Sequence, residues 1–216
     1  VVARAYEQFK DLQLTSQEEA SEFKESKMQL KAKLSELNGL LNHKLFSSMV
    51  SDASISYEEW LSSHQPFHWL AEYYHIMHSN GGFDVIIGNP PYVVYTAKKY
   101  FYKISESYKT YKCANLYAYC IERSHQILSY IGICGMIIPN SSISATKMAP
   151  VQNIIKTGKK CWISNYSWRP AKLFEGADML LAIIIDKHNE IDTVYSTKYN
   201  KWYNEYRNFL FKNLAY

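Results

Sequence analysis

Phe83-Asp84-Val85-Ile86-Ile87-Gly88-Asn89-Pro90-Pro91-Tyr92 is a β-branched apolar run that stops at a glycine and passes at once into Asn-Pro-Pro-Tyr. Neither proline carries an N–H, so the pair cannot continue a strand ladder. The chain is predicted to leave a sheet at its carboxyl edge here, which is where open α/β sheets bind ligands. The corner offers one amide side chain, carbonyls on a stiffened backbone and one aromatic ring. Such a set suits gripping a planar group that carries an amino function.

Downstream, Leu116, Cys120 and Ile127, with Tyr117, Ile121 and Leu128, share a face and predict a helix over 115–129. Gly132 is predicted to end the connection, and Ile133–Ile138 reads as a buried strand. Pro139-Asn140-Ser141-Ser142 closes that strand with residues suited to capping a helix. Residues 145–157 read as a helix in which Pro150 either lies near the start or makes a kink. A strand around 162–168 and a buried strand over 179–186, fed by the Phe174-Glu175-Gly176 turn, complete the pattern. Strands alternating with helices predict an α/β layer fold. Upstream, Thr15-Ser16-Gln17-Glu18 has the capping-box pattern, and Leu30, Leu34, Leu37 and Leu41 form one helical stripe. Residues 47–56 read as a polar loop, 57–78 as helix interrupted at Pro66, and Asn80-Gly81-Gly82 as a break. The expected organisation is a helical extension over 1–56, a catalytic-type body over 57–190, and the start of a further segment over 191–216.

The 216 residues suffice for one domain with a good core, or a domain with an appendage. Aromatic residues make up 15% of the chain and Tyr dominates them, which favours surfaces that bind something. A net charge of +4 is compatible with a polyanionic partner. Cys113, Cys120, Cys134 and Cys161 form no C-x-x-C pair and read as reduced thiols of a cytoplasmic protein. No secretory leader is expected, and the longest apolar runs are too short to span a bilayer, so no membrane association is expected. His64 and His68, and His75 and His78, have helical spacing but no H-E-x-x-H or cysteine partner, so no metal site is expected. Glu22-Phe23-Lys24 and Glu25-Ser26-Lys27 read as solvated charge on a helix.

The loop after the corner interleaves Lys98, Lys99, Lys103, Lys109 and Lys112 with Tyr95, Tyr100, Phe101, Tyr102, Tyr108 and Tyr111. Lysines beside aromatic rings can hold phosphates and stack bases. Equally, the rings can cover core while the ammonium heads sit in water.

"FDVIIG" followed by Asn89-Pro90-Pro91-Tyr92 resembles motif IV of the amino-methyltransferases that use S-adenosylmethionine. The stretches 60–93, 115–128, 132–144 and 173–187 are similar to the large adenine-N6 DNA methyltransferases of type IIG restriction–modification systems, and the likeness covers about residues 57–205. It implies a partial Rossmann-like methyltransferase fold, with a mostly parallel sheet flanked by helices and an N-terminal helical extension. It also implies that the Asn89 side-chain oxygen and the Pro90 carbonyl accept the two amino hydrogens of adenine, within the motif Asn89, Pro90, Pro91 and Tyr92. Tyr92 and Phe174 would stack on the two faces of a base flipped out of duplex DNA. Lys98, Lys99, Lys103, Lys109 and Lys112 are the expected DNA contacts.

The family binds its donor with a Gly-rich turn after its first strand. Here the clustered glycines, Gly81-Gly82, precede the corner strand and open no helix, so no donor-binding residues are assigned. The chain therefore reads as the C-terminal, target-base part of a catalytic domain, complete only with an upstream segment or partner chain. The same four-residue motif also serves methyltransferases of RNA and of protein glutamine. A third reading is an inactive, truncated remnant that binds nucleic acid.

Overall fold

A computed structural model describes residues 20–50, 55–96, 103–212 and 214–216, with side chains from residue 23 onward. The Thr15–Glu18 capping box, Lys98 and Lys99 lie outside these residues. The chain divides into two compact units, Val1–Asn80 with Phe101–Lys103, and Gly81–Tyr100 with Ile104–Tyr216.

In the first unit α1 (Ala20–Met49) carries the leucine stripe on its less exposed side, with Leu30 buried and Leu34, Leu37 and Leu41 half-buried. The helix takes in residues 47–49 of the Ser-rich stretch read as loop, and the serines there find carbonyl acceptors one turn back, Ser47 on His43 and Ser48 on Leu45. The next helix, α2 (Tyr57–His64), opens with a reciprocal cap. Ser56 Oγ accepts from the Glu59 N–H at 3.2 Å, and Glu59 Oε2 accepts from the Ser56 N–H at 2.9 Å. The Ser56 N–H and then the Ser56 O–H, each donating to Oε2 at 2.9 Å, hold the Glu59 carboxyl below its ordinary range. It ends at Gln65, left-handed at φ 42°, just before Pro66, and α3 (Trp69–Glu72) and α4 (Tyr74–Ser79) follow. Asn42 Oδ1 lies 2.7 Å from His68 Nε2, and Asn38 donates to Glu72 at 2.6 Å, which join α1 to this piece.

The second unit is a five-stranded sheet in the order β1-β2-β4-β3-β5. Its strands are β1 (Phe83–Gly88), β2 (Leu128–Pro139), β3 (Lys159–Tyr166), β4 (Leu181–His188) and β5 (Thr193–Asn200). Parallel pairing joins β1 to β2 and β3 to β5, and β4 runs antiparallel between β2 and β3. Consequently β1, β2, β3 and β5 all end at one edge. The helices α5 (Leu116–Ile127) and α7 (Ala149–Lys156) cover one face, with a short α6 (Ser141–Ser144) after β2. Tyr117, Ala118 and Ile121 of α5 and Val151 and Ile155 of α7 pack on Cys134, Met136, Ile138, Ile163, Ala182 and Ile184. This is a mixed α/β sheet flanked by helices, as the sequence predicts.

Two expectations change. The second strand begins at Leu128 rather than Ile133, because Gly132 lies inside it. A Cβ there would sit 2.8 Å from the Leu128 side chain and from the Phe83 carbonyl, so only glycine fits the irregular pairing between Phe83 and Val85. The apolar runs over β2 and β4 are also not buried throughout. Among the described residues no helix of this unit packs on the second face, where the rows Val85–Ile133 and Ile87–Gly135–Ile185 lie in register. Ile87 is 82% exposed, and Ile133 and Ile185 are each 40% exposed. An unexpected strand, β5, takes part of the Lys/Tyr/Asn segment into the sheet.

Candidate functional site

The corner sits where β1 ends. Gly88 lets β1 close on β2, since a Cβ there would lie 3.1 Å from Met136 Sδ. Asn89 follows, exposed, and among the described residues its side chain has no hydrogen-bond partner. Pro90 is buried and Pro91 exposed, so the backbone beneath the amide is fixed by packing as well as by ring closure. Tyr92 is half-buried; its hydroxyl donates to the Ile137 carbonyl at 2.9 Å, and its ring meets Tyr117 edge-on at 6.4 Å. Burial pushes the Tyr92 phenol up to about 12. The chain then runs back past the start of α5, with Tyr95 N–H on Ala114 O at 3.0 Å and Leu116 N–H on Val93 O at 2.9 Å.

Phe174 comes from a distant part of the sequence and packs on a cluster that Tyr92 also touches, made of Tyr166, Ala171, Leu173, Ala177, Leu181 and Trp202. Its turn is completed by Gly176 at φ +84°, and Arg207 donates to the Lys172 and Leu173 carbonyls from behind. Asn140, at the end of β2, serves this edge rather than capping α6. Its amide donates to Asn165 Oδ1 at 2.7 Å and its oxygen accepts from Tyr199 O–H at 2.7 Å. That buried network ties β2, β3 and β5 together. Sequence reading missed it, because an Asn after a Pro at a strand end also signals a cap.

Lys103, Lys109 and Lys112 are exposed, and Lys103 belongs to the first unit. The rings between them have core-covering contacts. Tyr95 is buried with its hydroxyl accepting from Ile104 N–H at 3.0 Å, and Tyr119 meets Tyr95 and Tyr108 edge-on. The anchor of this loop is Glu122 of α5, whose carboxylate accepts from Lys109 N–H at 3.0 Å and from Thr110 N–H and O–H at 2.8 Å each.

Away from the corner, buried Asp186 of β4 lies 2.9 Å from His125 Nε2 and 2.6 Å from Lys159 Nζ. Cys134 stands beside them, and ligand atoms of His125, Cys134 and Asp186 fall within 4.8 Å of one another. The Lys159 ammonium already supplies the cation that the carboxylate needs, so a packed ion cluster accounts for the group. A hollow of about 1140 Å³ adjoins it, lined by Lys109, Glu122, His125, Ser129, Lys159 and His188 among others. A second, of about 940 Å³, lies at the carboxyl edge between Trp168, Arg169, Pro170, Lys172, Asp178 and Lys201. Neither is lined by Asn89, Tyr92 or Phe174. In the larger hollow His125, Glu122 and Lys159 already have partners, whereas the buried Ser129 hydroxyl has none among the described residues; the corner is the better candidate on chemistry. All four cysteines are free thiols, and no helix among the described residues is long and apolar enough to cross a membrane.

Several solved structures are similar to this chain. The DrdV–DNA complex aligns with a TM-score of 0.49 at 14% identity, over 67% of this chain and 18% of that one. A nuclease-deletion mutant of the type ISP restriction-modification enzyme LlaGI, in complex with a DNA substrate mimic, aligns at 0.41 and 16% identity over 56% and 14%. A protein of Listeria monocytogenes described as a class I S-adenosylmethionine-dependent methyltransferase aligns at 0.39 and 18% identity over 54% and 36%. This chain therefore spans well under two thirds of each. No curated protein matches it significantly. The model of one family, the Eco57I restriction-modification methylases, matches residues 12–169, which includes the corner, α5, β2 and β3. The chain belongs to the Eco57I restriction-modification methylase family.

Proposed function

We propose that this chain is the target-base part of a restriction–modification DNA methyltransferase that methylates adenine N6, with S-adenosylmethionine as methyl donor. The observation that carries the reading is the corner. Asn89 stands exposed and unpartnered among the described residues, on a backbone stiffened by Pro90 and Pro91, with Tyr92 beside it and Phe174 on the same cluster.

The exocyclic amine of adenine is a poor nucleophile, because its lone pair is delocalised into the ring. The Asn89 oxygen and the Pro90 carbonyl would accept its two N–H bonds, favour a pyramidal nitrogen and aim the lone pair outward. Acceptors fixed in advance need no reorganisation when the charge shifts. Tyr92 and Phe174 would hold the two faces of the purine. Stacking of about 1–3 kcal/mol per base offsets much of the few kcal/mol that flipping costs. Lys98, Lys99, Lys103, Lys109 and Lys112 would hold phosphates in this cytoplasmic enzyme.

The residues described here do not form a cradle for the donor. Gly81 and Gly82 precede β1, and α5 opens at Asn115 without a glycine turn. We assign the donor site to a further segment or a partner chain. The uncovered edge and face of β1, where Val85 is 56% exposed beside Ile87, support a missing neighbour.

The test is transfer of tritiated methyl from S-adenosylmethionine by the chain supplied with a donor-binding segment of a family member. Duplex DNA, RNA and a glutamine-bearing peptide serve as acceptors. Label at N6 of adenine in DNA is expected. Label in RNA or in the peptide instead would move the substrate, and DNA binding without transfer to any acceptor would make the chain a non-catalytic nucleic-acid binder.

A further inference from the structure

The cleft at the carboxyl edge is built from three segments that each follow a strand end or flank the Phe174 turn. Trp168, Arg169 and Pro170 come just after β3, Lys201 just after β5, and Lys172 and Asp178 lie on either side of Phe174. Ala171, Leu173, Ala177 and Trp202, chain neighbours of its lining residues, belong to the cluster against which Tyr92 and Phe174 also pack. Cleft and corner are thus mounted on one packed body.

The charges are unevenly matched. Lys172 and Asp178 pair at 2.5 Å, and that carboxylate holds the lysine above its ordinary range. Arg169 and Lys201 are exposed, and among the described residues neither has a carboxylate partner. Arg169 lies with its guanidinium carbon 4.0 Å from the centroid of the Trp168 ring. The turn under it is tied by Ser167 Oγ, which donates to the Arg169 carbonyl at 2.9 Å. A guanidinium laid on an indole keeps its planar fork oriented at little entropic cost, the form in which arginine takes a phosphate through two hydrogen bonds. The neighbouring ammonium adds a point charge to the same hollow.

We propose that Arg169 and Lys201, with Trp168 as platform, form a phosphate clamp for the DNA backbone next to the flipped nucleotide. This rests on the corner being a target-base site. A flipped base leaves its own strand stretched at that point, and the flanking phosphates need fixed cations to hold it there.

The experiment is fluorescence anisotropy of a labelled DNA duplex with the 216-residue chain across a salt series. The variants are Arg169→Gln with Lys201→Gln, Lys201→Gln alone, and an equal-charge control, Lys27→Gln with Lys31→Gln on α1. Two lost phosphate contacts lower the slope of log affinity against log salt by about 1.8, and the single variant lowers it by about 0.9. Between about 50 and 200 mM salt the parent then loses about twelvefold more affinity than the double variant. The α1 control is expected to keep the parental slope. A double variant with the parental slope and affinity, or a control that changes as much, overturns the clamp while leaving the base-site reading intact. A parent chain with no affinity for DNA overturns both.

Discussion

Tyr92 has a proposed role and an observed one that can be separated. Its ring is the proposed stacking face for the base, and its hydroxyl anchors the corner to the Ile137 carbonyl of β2. Tyr92→Phe removes only the anchor, which costs about 1 kcal/mol and lowers the melting temperature by about 3 °C. Transfer in the complete assembly should stay within about threefold of the parent, because the stacking face is kept. Tyr92→Ala loses the face as well and should weaken capture of the flipped base by about 10-fold or more. Calorimetry and transfer rates on both variants check this; a Phe variant that no longer transfers methyl would place the hydroxyl in the chemistry. The corner was legible in sequence because its cause is local. Two prolines end a ladder whatever surrounds them. The meeting of Tyr92 and Phe174 on one cluster was not legible from spacing, because it depends on how β3 and β4 return to the edge.

The strands and helices succeed or fail as readings for the same kind of reason. Helix α5 was plain from its periodic apolar face, and Pro150 takes the first of its two expected placements, at the start of α7, because proline is tolerated in a first turn. The start of β2 was misplaced because Gly132 looks like punctuation and is instead a close approach. Strand β5 was missed because Thr193–Asn200 mixes Lys and Asn into an edge strand whose pairing is supplied by β3. The Lys/Tyr loop depends on Glu122, a residue inside a helix that sequence reading passes over. Removing its carboxylate leaves two backbone N–H groups and one hydroxyl without their acceptor. Glu122→Ala should cost about 2–3 kcal/mol. Amide exchange at Lys109 and Thr110 should speed up while that of β3 and β4 stays protected; unchanged exchange at those two amides would mean that the loop is held by its rings instead.

The second unit is a sheet with a well-packed core on its helical face. That core keeps several acids neutral. Burial, reinforced by Asp186 and opposed by Lys159, pushes the Cys134 and Cys161 thiols from 9.0 up to about 12. Burial likewise raises the Tyr92 and Tyr119 phenols from 10.0 to about 12. In the unfolded chain these groups release their protons first, so the folded state binds more protons across this window. The contribution of these groups to stability should therefore be constant below about pH 9 and fall as pH rises from about 9 to 12. Thermal melts under reductant check this, and a melting temperature unchanged up to about pH 11 would contradict the burial of these side chains. On the reading proposed above, the exposed apolar rows of β1 and β2 belong to a catalytic body that another segment completes. Within that body the central claim is that Asn89 grips the amino group. The most direct measurement is labelled methyl transfer to duplex DNA by the complete assembly carrying Asn89→Ala, with DNA affinity measured in parallel. The account predicts transfer reduced by about 100-fold or more with affinity within about twofold of the parent. Transfer at the parental rate would contradict it.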